Sequence, residues 1–193
     1  MTNPDDKGLQ NPDGHLTKPQ RKEQMRHELR RKLVEQGSGD SLRVVRKVVA
    51  YLEQRPELRT IAIFAALPGE VDLRALPAEV DRVWAFPKVV GEDLVFYQVR
   101  SFEDDMSPGA FGIMEPQEGL EEIDIGKVDL FLCPGLGFDL KGGRIGRGKG
   151  FYDRMLEQAR PDVTKLGVCF DYQVVEEVAM DDHDVRMNGV FAG

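Results

Sequence analysis

The segment from Gly142 to Arg154 reads GGRIGRGKGFYDR, and it holds five glycines and four cations in thirteen residues. The apolar run before it, at 129–133, predicts a buried strand, and the residues after it, at 151–160, predict a helix. Strand, glycine-rich loop and helix in this order are typical of a ligand loop at the carboxyl edge of an α/β sheet. Glycine lets backbone N–H groups approach an anion closely, and the cations add charge that core packing does not need. The segment therefore predicts an α/β fold and a phosphate-binding site.

The glycine-rich segment differs from two familiar phosphate-binding motifs. It lacks the Gly-Lys-Ser/Thr ending of a Walker loop. Its strict alternation of glycine at 146–150 is not the Gly-x-Gly-x-x-Gly pattern of dinucleotide-binding folds. A flexible surface turn is the alternative explanation, but a plain turn has no use for four cations.

Short apolar runs elsewhere predict the other strands, at 61–65, 83–87, 94–99, 165–170 and 185–191. Further helices are predicted from Pro19 to about Gln36 and from Asp40 to Pro56. The turn at 91–93 would join two neighbouring strands as a hairpin, which makes the sheet mixed. We therefore expect a single-domain three-layer α/β/α sandwich with a mixed, mostly parallel sheet at 19–193, after a disordered tail at 1–18.

Three local features are also expected from the pattern. The second helix should bury Leu42, Val45, Val48, Val49 and Leu52. Asp72 should cap a short helix that runs through Leu76. Residues 100–127 should be mostly loop.

Composition limits the classes of function. A hydrophobic content of 41% is that of a globular chain, and the net charge of −8 with a pI near 5.0 argues against general nucleic-acid binding. The two cysteines, Cys133 and Cys169, lie in apolar runs and are expected to be buried free thiols. The sequence has no signal peptide and no apolar run of membrane-spanning length. We therefore expect a cytoplasmic monomer with no membrane or nucleic-acid partner.

The run from Val128 to Arg154 strongly resembles the signature of the 5-formyltetrahydrofolate cyclo-ligase (5,10-methenyltetrahydrofolate synthetase) family. Weaker similarities follow in the right order over roughly 20–191. They comprise a basic helix at 22–33, a substrate strand and turn at 64–76, middle elements at 86–89 and 111–116, and the pair His183-Asp184.

The resemblance implies a set of functional residues. For ATP it implies Lys22, Arg26, Arg144, Gly146, Arg147, Gly148, Lys149, Gly150, Phe151 and Tyr152. For the folate it implies Ala65, Glu70 and Tyr152. For Mg²⁺ it implies Asp153 and Asp184, and for catalysis Arg147, Lys149 and Tyr152.

The basic stripe of the first helix also has a plainer explanation. Lys22, Arg26 and Arg30 are spaced by four, and a solvated helix face would have the same pattern. The resemblance favours phosphate contacts for Lys22 and Arg26. It gives no support to Arg30, which is expected to be a surface charge.

The other candidates have plainer explanations too. They include an exposed turn residue for Glu70, strand packing for Ala65, a core aromatic for Tyr152 and a helix-start acid for Asp153. Asp181, Asp182 and Asp184 could form a solvated acidic turn, with His183 as a turn residue. Two positions depart from the family pattern: Phe151 stands where tyrosine is frequent, and Asn188 where an acid is common.

The resemblance implies an ATP- and Mg²⁺-dependent ligase that converts 5-formyltetrahydrofolate to 5,10-methenyltetrahydrofolate and releases ADP and phosphate. The reaction it implies is phosphoryl transfer to the formyl oxygen followed by cyclisation. Two alternatives are a related ligase for another carbonyl substrate and a non-catalytic nucleotide- or folate-binding module. Glu70 argues against the first, and the set of acids and cations favours catalysis over the second.

Overall fold

Seven strands form one mixed sheet in the computed structural model, which describes residues 16–37, 39–109 and 112–193. Four more strands in the described residues form two separate pairs, β4 with β5 and β8 with β9. In chain order the strands are β1 Thr60–Ala62, β2 Val83–Val90, β3 Asp93–Gln98, β4 Met106–Pro108, β5 Met114–Pro116, β6 Glu122–Ile123, β7 Leu130–Cys133, β8 Gly137–Phe138, β9 Arg144–Ile145, β10 Thr164–Cys169 and β11 Gly189–Ala192. The helices are α1 Lys18–Gln36, α2 Ser41–Glu53, α3 Leu76–Glu79, α4 Phe102–Asp105 and α5 Phe151–Gln158.

The strand order in the large sheet is β11-β10-β7-β1-β2-β3-β6. The five strands from β11 to β2 are parallel, and β3 and β6 add to the edge in antiparallel fashion. In β1, Ile61 pairs with Trp84 of β2 on one side and with Leu130 of β7 on the other. The chain leaves β1 towards β2 and later returns on the other side as β7. The loops after β1 and β7 therefore diverge and leave a crevice at the carboxyl edge.

Helices cover both faces of this sheet. Successive residues of a strand point to opposite faces, so β1 sends Ile61 to one side and Ala62 to the other. Ile61 packs in a cluster with α2, whereas Ala62 packs with Met155 and Leu156 of α5. The predicted three-layer α/β sandwich with a mixed, mostly parallel sheet is confirmed.

Helix α1 lies beside the sheet and borders the crevice. Thr17 and Gln20 form a reciprocal capping box at its start, and Gly37, with φ of 67°, follows its last turn. It begins one residue before the predicted Pro19 and ends at Gln36 as predicted. Leu29 is its buried anchor and packs on residues after β7. Most of the tail predicted at 1–18, namely residues 1–15, lies outside the described residues.

Two local predictions are wrong. Leu42 is 58% exposed, whereas Val44 is fully buried. Two residues along a helix correspond to a rotation of about 200° around its axis, so Leu42 and Val44 lie on nearly opposite faces of α2. Asp72 does not cap a helix through Leu76; its carboxylate accepts a hydrogen bond from the Arg74 N–H in a turn. The helix starts later, at Leu76, where Pro77 suits the first turn.

The remaining differences concern element lengths. The strand predicted at 61–65 ends at Ala62, although the Ile63 N–H still bonds the Ala85 carbonyl at 2.9 Å. The region 100–127 contains α4 and β4–β6, which are too short for a periodic pattern to reveal. Cys133 and Cys169 are buried free thiols as predicted, and desolvation raises the pKa of each to about 12.

Asp139 fixes the turn that leads from β8 to β9. Its side chain is buried, and its carboxylate accepts hydrogen bonds from the N–H groups of Lys141 at 2.8 Å, Gly143 at 2.7 Å and Val178 at 2.7 Å. Burial raises the pKa of Asp139, but the three N–H groups outweigh it and leave the pKa below its usual value. The carboxylate therefore stabilises the base of the glycine-rich segment.

Asp139→Asn should lower the free energy of unfolding at pH 7 by about 2–4 kcal/mol, because an amide offers one acceptor oxygen to three donors. Since the native pKa lies below the unfolded value of about 3.9, the carboxylate stabilises the fold above pH 4 and loses this effect as the pH falls further. Urea unfolding at pH 7 and pH 3 measures the gap, which should shrink at pH 3. The exposed Asp162→Asn is the control, and an equal gap at both pH values would contradict the prediction.

Candidate active site

A cleft of ≈ 850 Å³ lies at the carboxyl edge of β1 and β7. All fourteen residues predicted to bind ATP, folate or metal line it, from Lys22 on α1 to Asp184 near the carboxyl end of the chain. One wall is apolar and is formed by Phe64, Leu67, Pro87, Val89, Leu94, Ile113 and Met114. Six cations also line the cleft and are called the basic wall below, namely Lys22, Arg26, Arg144, Arg147, Lys149 and Arg154. The fold thus brings together residues that are more than 150 positions apart in the sequence.

The glycine loop consists of residues 146–150, all of which line the cleft. Gly148 and Gly150 have φ of 103° and 69°, values that L side chains rarely adopt. In the described part of the chain, none of the five N–H groups of this loop donates a hydrogen bond to the protein. The side chain of Lys149 is exposed and forms no ion pair with any described residue. The loop therefore offers free donors and one free charge to the cleft.

Lys22, on helix α1, is buried where the helix lines the cleft, and it contacts two carboxylates. Its ammonium group donates to Asp181 at 2.5 Å and to Asp184. Burial lowers the pKa of Lys22, but the hydrogen bonds and charges of the two carboxylates raise it by more. The hydrogen bond from Lys22 in turn lowers the pKa of Asp181. The predicted phosphate contact of Lys22 thus shares a site with the predicted metal ligand Asp184.

Asp181 is a cleft residue that the sequence did not assign. Its carboxylate, the carboxylate of Asp184 and an imidazole nitrogen of His183 lie within 4.8 Å of one another. The three acids at 181–184 were the available signal, but a solvated turn has the same composition. The structure distinguishes them, because Asp182 is fully exposed and lies 3.9 Å from the ammonium of Lys18, whereas Asp181 and Asp184 contact Lys22.

Arg144 and Asp153 form an ion pair under the glycine loop. The distance from Nη2 to Oδ1 is 2.7 Å, and the side chains are 3% and 21% exposed. The Nε–H of Arg144 is buried and has no partner among the described residues. The predicted phosphate and metal residues of this pair are therefore in contact with each other.

Glu70 and Arg147 join the loops that follow β1 and β7. The Arg147 Nε lies 3.0 Å from Glu70 Oε1, while Glu70 Oε2 accepts the Leu67 N–H at 3.0 Å. The Glu70 side chain is 6% exposed. Burial raises the pKa of Glu70 against the opposing effects of the Leu67 N–H and Arg147. Two residues predicted to bind different substrates are thus in contact with each other.

Tyr152 presents a hydroxyl group without a partner. Its oxygen is buried and makes no hydrogen bond to any residue within the described ranges, while Arg144 lies 5.5 Å from its ring. Desolvation raises the pKa of Tyr152 well above its usual value, so the hydroxyl is neutral at physiological pH. A neutral hydroxyl can donate one hydrogen bond and accept another.

The sequence comparisons identify the family. A sequence model of the 5-formyltetrahydrofolate cyclo-ligase family matches residues 8–193. The chain belongs to this family. The resemblance predicted from the glycine-rich segment is therefore confirmed, and so is the prediction of an enzyme of the ligase class.

Individual cyclo-ligase relatives span most of the chain. The 5-formyltetrahydrofolate cyclo-ligase of Mus musculus is 26% identical over 181 residues, which cover 86% of this chain and 89% of the mouse protein. The enzyme of the same name from Mycolicibacterium smegmatis is 40% identical over 81 residues, or 42% of each chain. The NMR structure of Aquifex aeolicus 5,10-methenyltetrahydrofolate synthetase is 34% identical, has a TM-score of 0.73 and covers 89% of both chains.

A further cyclo-ligase-type structure supports the fold. The 5,10-methenyltetrahydrofolate synthetase of Mycoplasma pneumoniae has a TM-score of 0.70 at 23% identity, covering 88% of this chain and 97% of its own. Within the described ranges, no helix has the length and apolar character needed to cross a membrane.

Tyr152→Phe should leave the free energy of unfolding unchanged or raise it by up to about 1 kcal/mol, because it removes a buried hydroxyl that has no protein partner. Chemical denaturation of the ligand-free protein measures this. Tyr172→Phe is the matched control, since the Tyr172 hydroxyl bonds the Gly37 carbonyl at 3.1 Å. A loss larger at Tyr152 than at Tyr172 would show that the Tyr152 hydroxyl has a partner after all.

Proposed function

We propose that this protein converts 5-formyltetrahydrofolate to 5,10-methenyltetrahydrofolate in a reaction that consumes ATP and requires Mg²⁺. The observation that supports the proposal is one cleft lined by a loop of free amides, by apolar side chains and by the buried carboxylate of Glu70. Such a cleft has places for a polyphosphate and for a flat heterocycle side by side. The family membership supports the reaction, and the geometry is compatible with a task for each residue.

The residues of the basic wall fit the triphosphate of ATP. The amides of the glycine loop, the free ammonium of Lys149 and the guanidinium of Arg147 can neutralise phosphate oxygens, with arginine able to bind two oxygens at once. The buried, unpartnered Nε–H of Arg144 is a further donor that a bound anion could satisfy.

The acidic group near Lys22 fits a divalent cation. Asp181 and Asp184 already hold one cation, the ammonium of Lys22, between their carboxylates. Carboxylate oxygens are the ligands that Mg²⁺ prefers, usually together with water and phosphate oxygens. Asp153, which pairs with Arg144 in the same cleft, is the other metal ligand that the family resemblance implies. The metal would neutralise charge on the phosphates when bound.

The apolar wall and Glu70 fit the pterin ring of the folate. The ring can lie against Leu67, Val89 and Met114, and the Glu70 carboxylate can accept hydrogen bonds from its donor edge. Because Glu70 Oε1 is also the acceptor for Arg147, a bound folate would share this carboxylate with Arg147. Ala65 and Tyr152, with its free hydroxyl, line the same cleft.

Catalysis in this proposal is positioning and charge neutralisation. ATP supplies the phosphoryl group that turns the formyl oxygen into a leaving group. The cations of the glycine loop stabilise the charge of the transferring group, and the walls hold the neighbouring amine of the folate against the activated carbon. The amine adds to that carbon and loses its proton, and phosphate leaves with the former formyl oxygen. No covalent bond to the protein is required.

The test is a turnover assay with purified protein and 5-formyltetrahydrofolate. The absorbance of the methenyl product should rise only when Mg²⁺ and ATP are both present, and ADP should form in equal amount. Nucleotide binding without this absorbance would favour a binding module. ATP consumption only with another carbonyl compound would favour a different ligase of the same fold.

Lys149→Ala should weaken the use of ATP by about tenfold to a hundredfold in kcat/KM, the effect of one charged hydrogen bond. The KM for the folate should change little. Lys141→Ala is the control, because Lys141 is an exposed lysine of the same region that pairs with Glu177 outside the cleft. Equal kinetics for Lys149→Ala and Lys141→Ala would contradict the role of Lys149.

Glu70→Gln should raise the KM for the folate more than the KM for ATP, because an amide cannot replace a carboxylate that accepts on both oxygens. Burial raises the native pKa of Glu70, so the folate affinity of the wild-type protein should fall with decreasing pH earlier than an exposed glutamate, with a pKa near 4.3, would dictate. This acid limb should be absent in Glu70→Gln. Equal losses for folate and ATP would count against a folate role.

A further inference from the structure

The carbonyl groups of the glycine loop are held by three arginines. Arg26 Nε donates to the Gly146 carbonyl at 3.2 Å, and Arg30 Nη2 donates to the Arg147 carbonyl at 3.1 Å. From the opposite end, Arg154 Nη1 donates to the Lys149 carbonyl at 3.0 Å. Two helices, α1 and α5, thus fix the carbonyl side of one short loop.

Fixing a carbonyl group also fixes the amide of the same peptide unit. In a trans peptide the C=O and N–H bonds point in opposite directions. The three contacts therefore turn the N–H groups of Arg147, Gly148 and Gly150 away from the arginines. These N–H groups have no partner in the described ranges, and their residues line the cleft. Positive φ at Gly148 and Gly150 is compatible with amides that converge on one anion.

The loop needs such support because of its composition. Glycine has the greatest conformational freedom of any residue, so the alternating glycines at 146–150 would allow several peptide orientations. Contacts from outside the loop select one of them. At Gly150 the arginine occupies the place of a side chain, because a Cβ atom there would lie 2.8 Å from Arg154 Nη1.

We propose that Arg30 and Arg154 are positioning residues that keep the amides of the glycine loop turned towards the bound phosphates. Neither residue was assigned a function by the sequence, which predicts a surface charge at Arg30. The inference rests on the proposed function, since it takes the triphosphate of ATP as the ligand of the loop. Both residues act through the backbone and leave the phosphates to the loop and its cations.

Arg154 has a second contact that supports this role. Its Nη2 donates to the carbonyl of Glu92 at 2.6 Å, in the turn between β2 and β3, and its guanidinium lies 5.3 Å from the ring of Phe151. The side chain is thus anchored on an element that belongs to the large sheet. The Arg154 guanidinium therefore connects the glycine loop to the β2–β3 turn, which limits how far the loop can move relative to the sheet.

The experiment compares Arg30→Ala and Arg154→Ala with the matched control Arg31→Ala. Arg31 lies on the same helix, is 66% exposed and pairs only with Glu35 among the described residues. Calorimetric titration with the non-hydrolysable analogue AMP-PNP and Mg²⁺ measures the dissociation constant. It should rise by about threefold to tenfold in Arg30→Ala and Arg154→Ala, the range for one net hydrogen bond. It should not change in Arg31→Ala, and the dissociation constant of 5-formyltetrahydrofolate should not change in any variant.

Ionic strength separates positioning from simple charge removal. The attraction of an exposed charge for a phosphate is screened by salt, with a Debye length of about 10 Å at 0.1 M. A contact that orients a peptide is not screened in this way, so the loss of affinity should persist at high salt. Arg30→Lys and Arg154→Lys keep a charge and a donor and should recover part of the affinity.

Hydrogen exchange gives a readout that a merely structural role would not move. In the wild-type protein, saturating AMP-PNP should slow exchange in peptides covering 146–150. In Arg30→Ala and Arg154→Ala the slowing should be smaller even at saturation, because fewer amides meet the phosphates. Equal protection in all variants would overturn the proposal.

Two further outcomes are decisive. Wild-type affinity in both variants, or losses that vanish at high salt, would overturn the positioning role while leaving the proposed function intact. Failure of the wild-type protein to bind AMP-PNP would overturn the proposed function and this inference together.

Discussion

The site depends on the change of direction that the chain makes at β1. Because β1 is flanked by β2 on one side and β7 on the other, the loops that leave its carboxyl edge cannot follow the same path. One loop brings Glu70 and the apolar wall, and the other brings the glycine loop. Helix α1 then closes the crevice from the side with Lys22 and Arg26. No single element contains the site, and the sheet order together with the position of α1 brings its parts together.

The charges of the cleft are largely balanced by ion pairs within the protein. Lys22 faces Asp181 and Asp184, Arg144 faces Asp153, and Arg147 faces Glu70. This balance follows from the cost of desolvation, since an uncompensated charge in a largely buried position would destabilise the fold. Lys149 lies on the exposed rim, where water can solvate it, and has no such partner in the described ranges. The net charge of −8 is compatible with an anionic substrate because attraction is local.

Much of the architecture could be predicted from the sequence because burial leaves a record in it. Strands covered on both faces are continuous apolar runs, as at β7, and the alternation of glycine and cations has few explanations other than anion binding. The orientation of α2 was harder to predict, since Leu42 and Val44 are equally apolar and only the position of the sheet decides which is buried. The short elements between 100 and 127 depend on tertiary contacts and have no periodicity to detect.

The pairing within the site could not be predicted. Residues such as Glu70 and Arg147 were found individually, but their contact depends on two loops that are distant in sequence. Asp181 and Arg30 were judged by their neighbours in the chain, where an acid in a turn and a cation on a polar helix look ordinary. Their partners, Lys22 and the carbonyl of Arg147, become visible only once the chain is folded.

The Glu70–Arg147 contact sets two requirements against each other. It links two otherwise separate loops and so restricts their relative motion, and in the proposed function each partner also binds a substrate. If that function holds, a stronger ion pair would compete with substrate binding, whereas a weaker one would leave the two loops less firmly joined. These two requirements together favour an ion pair of intermediate strength. The contact between the buried Glu70 carboxylate and the partly exposed Arg147 guanidinium fits this, because water screens one of its two charges.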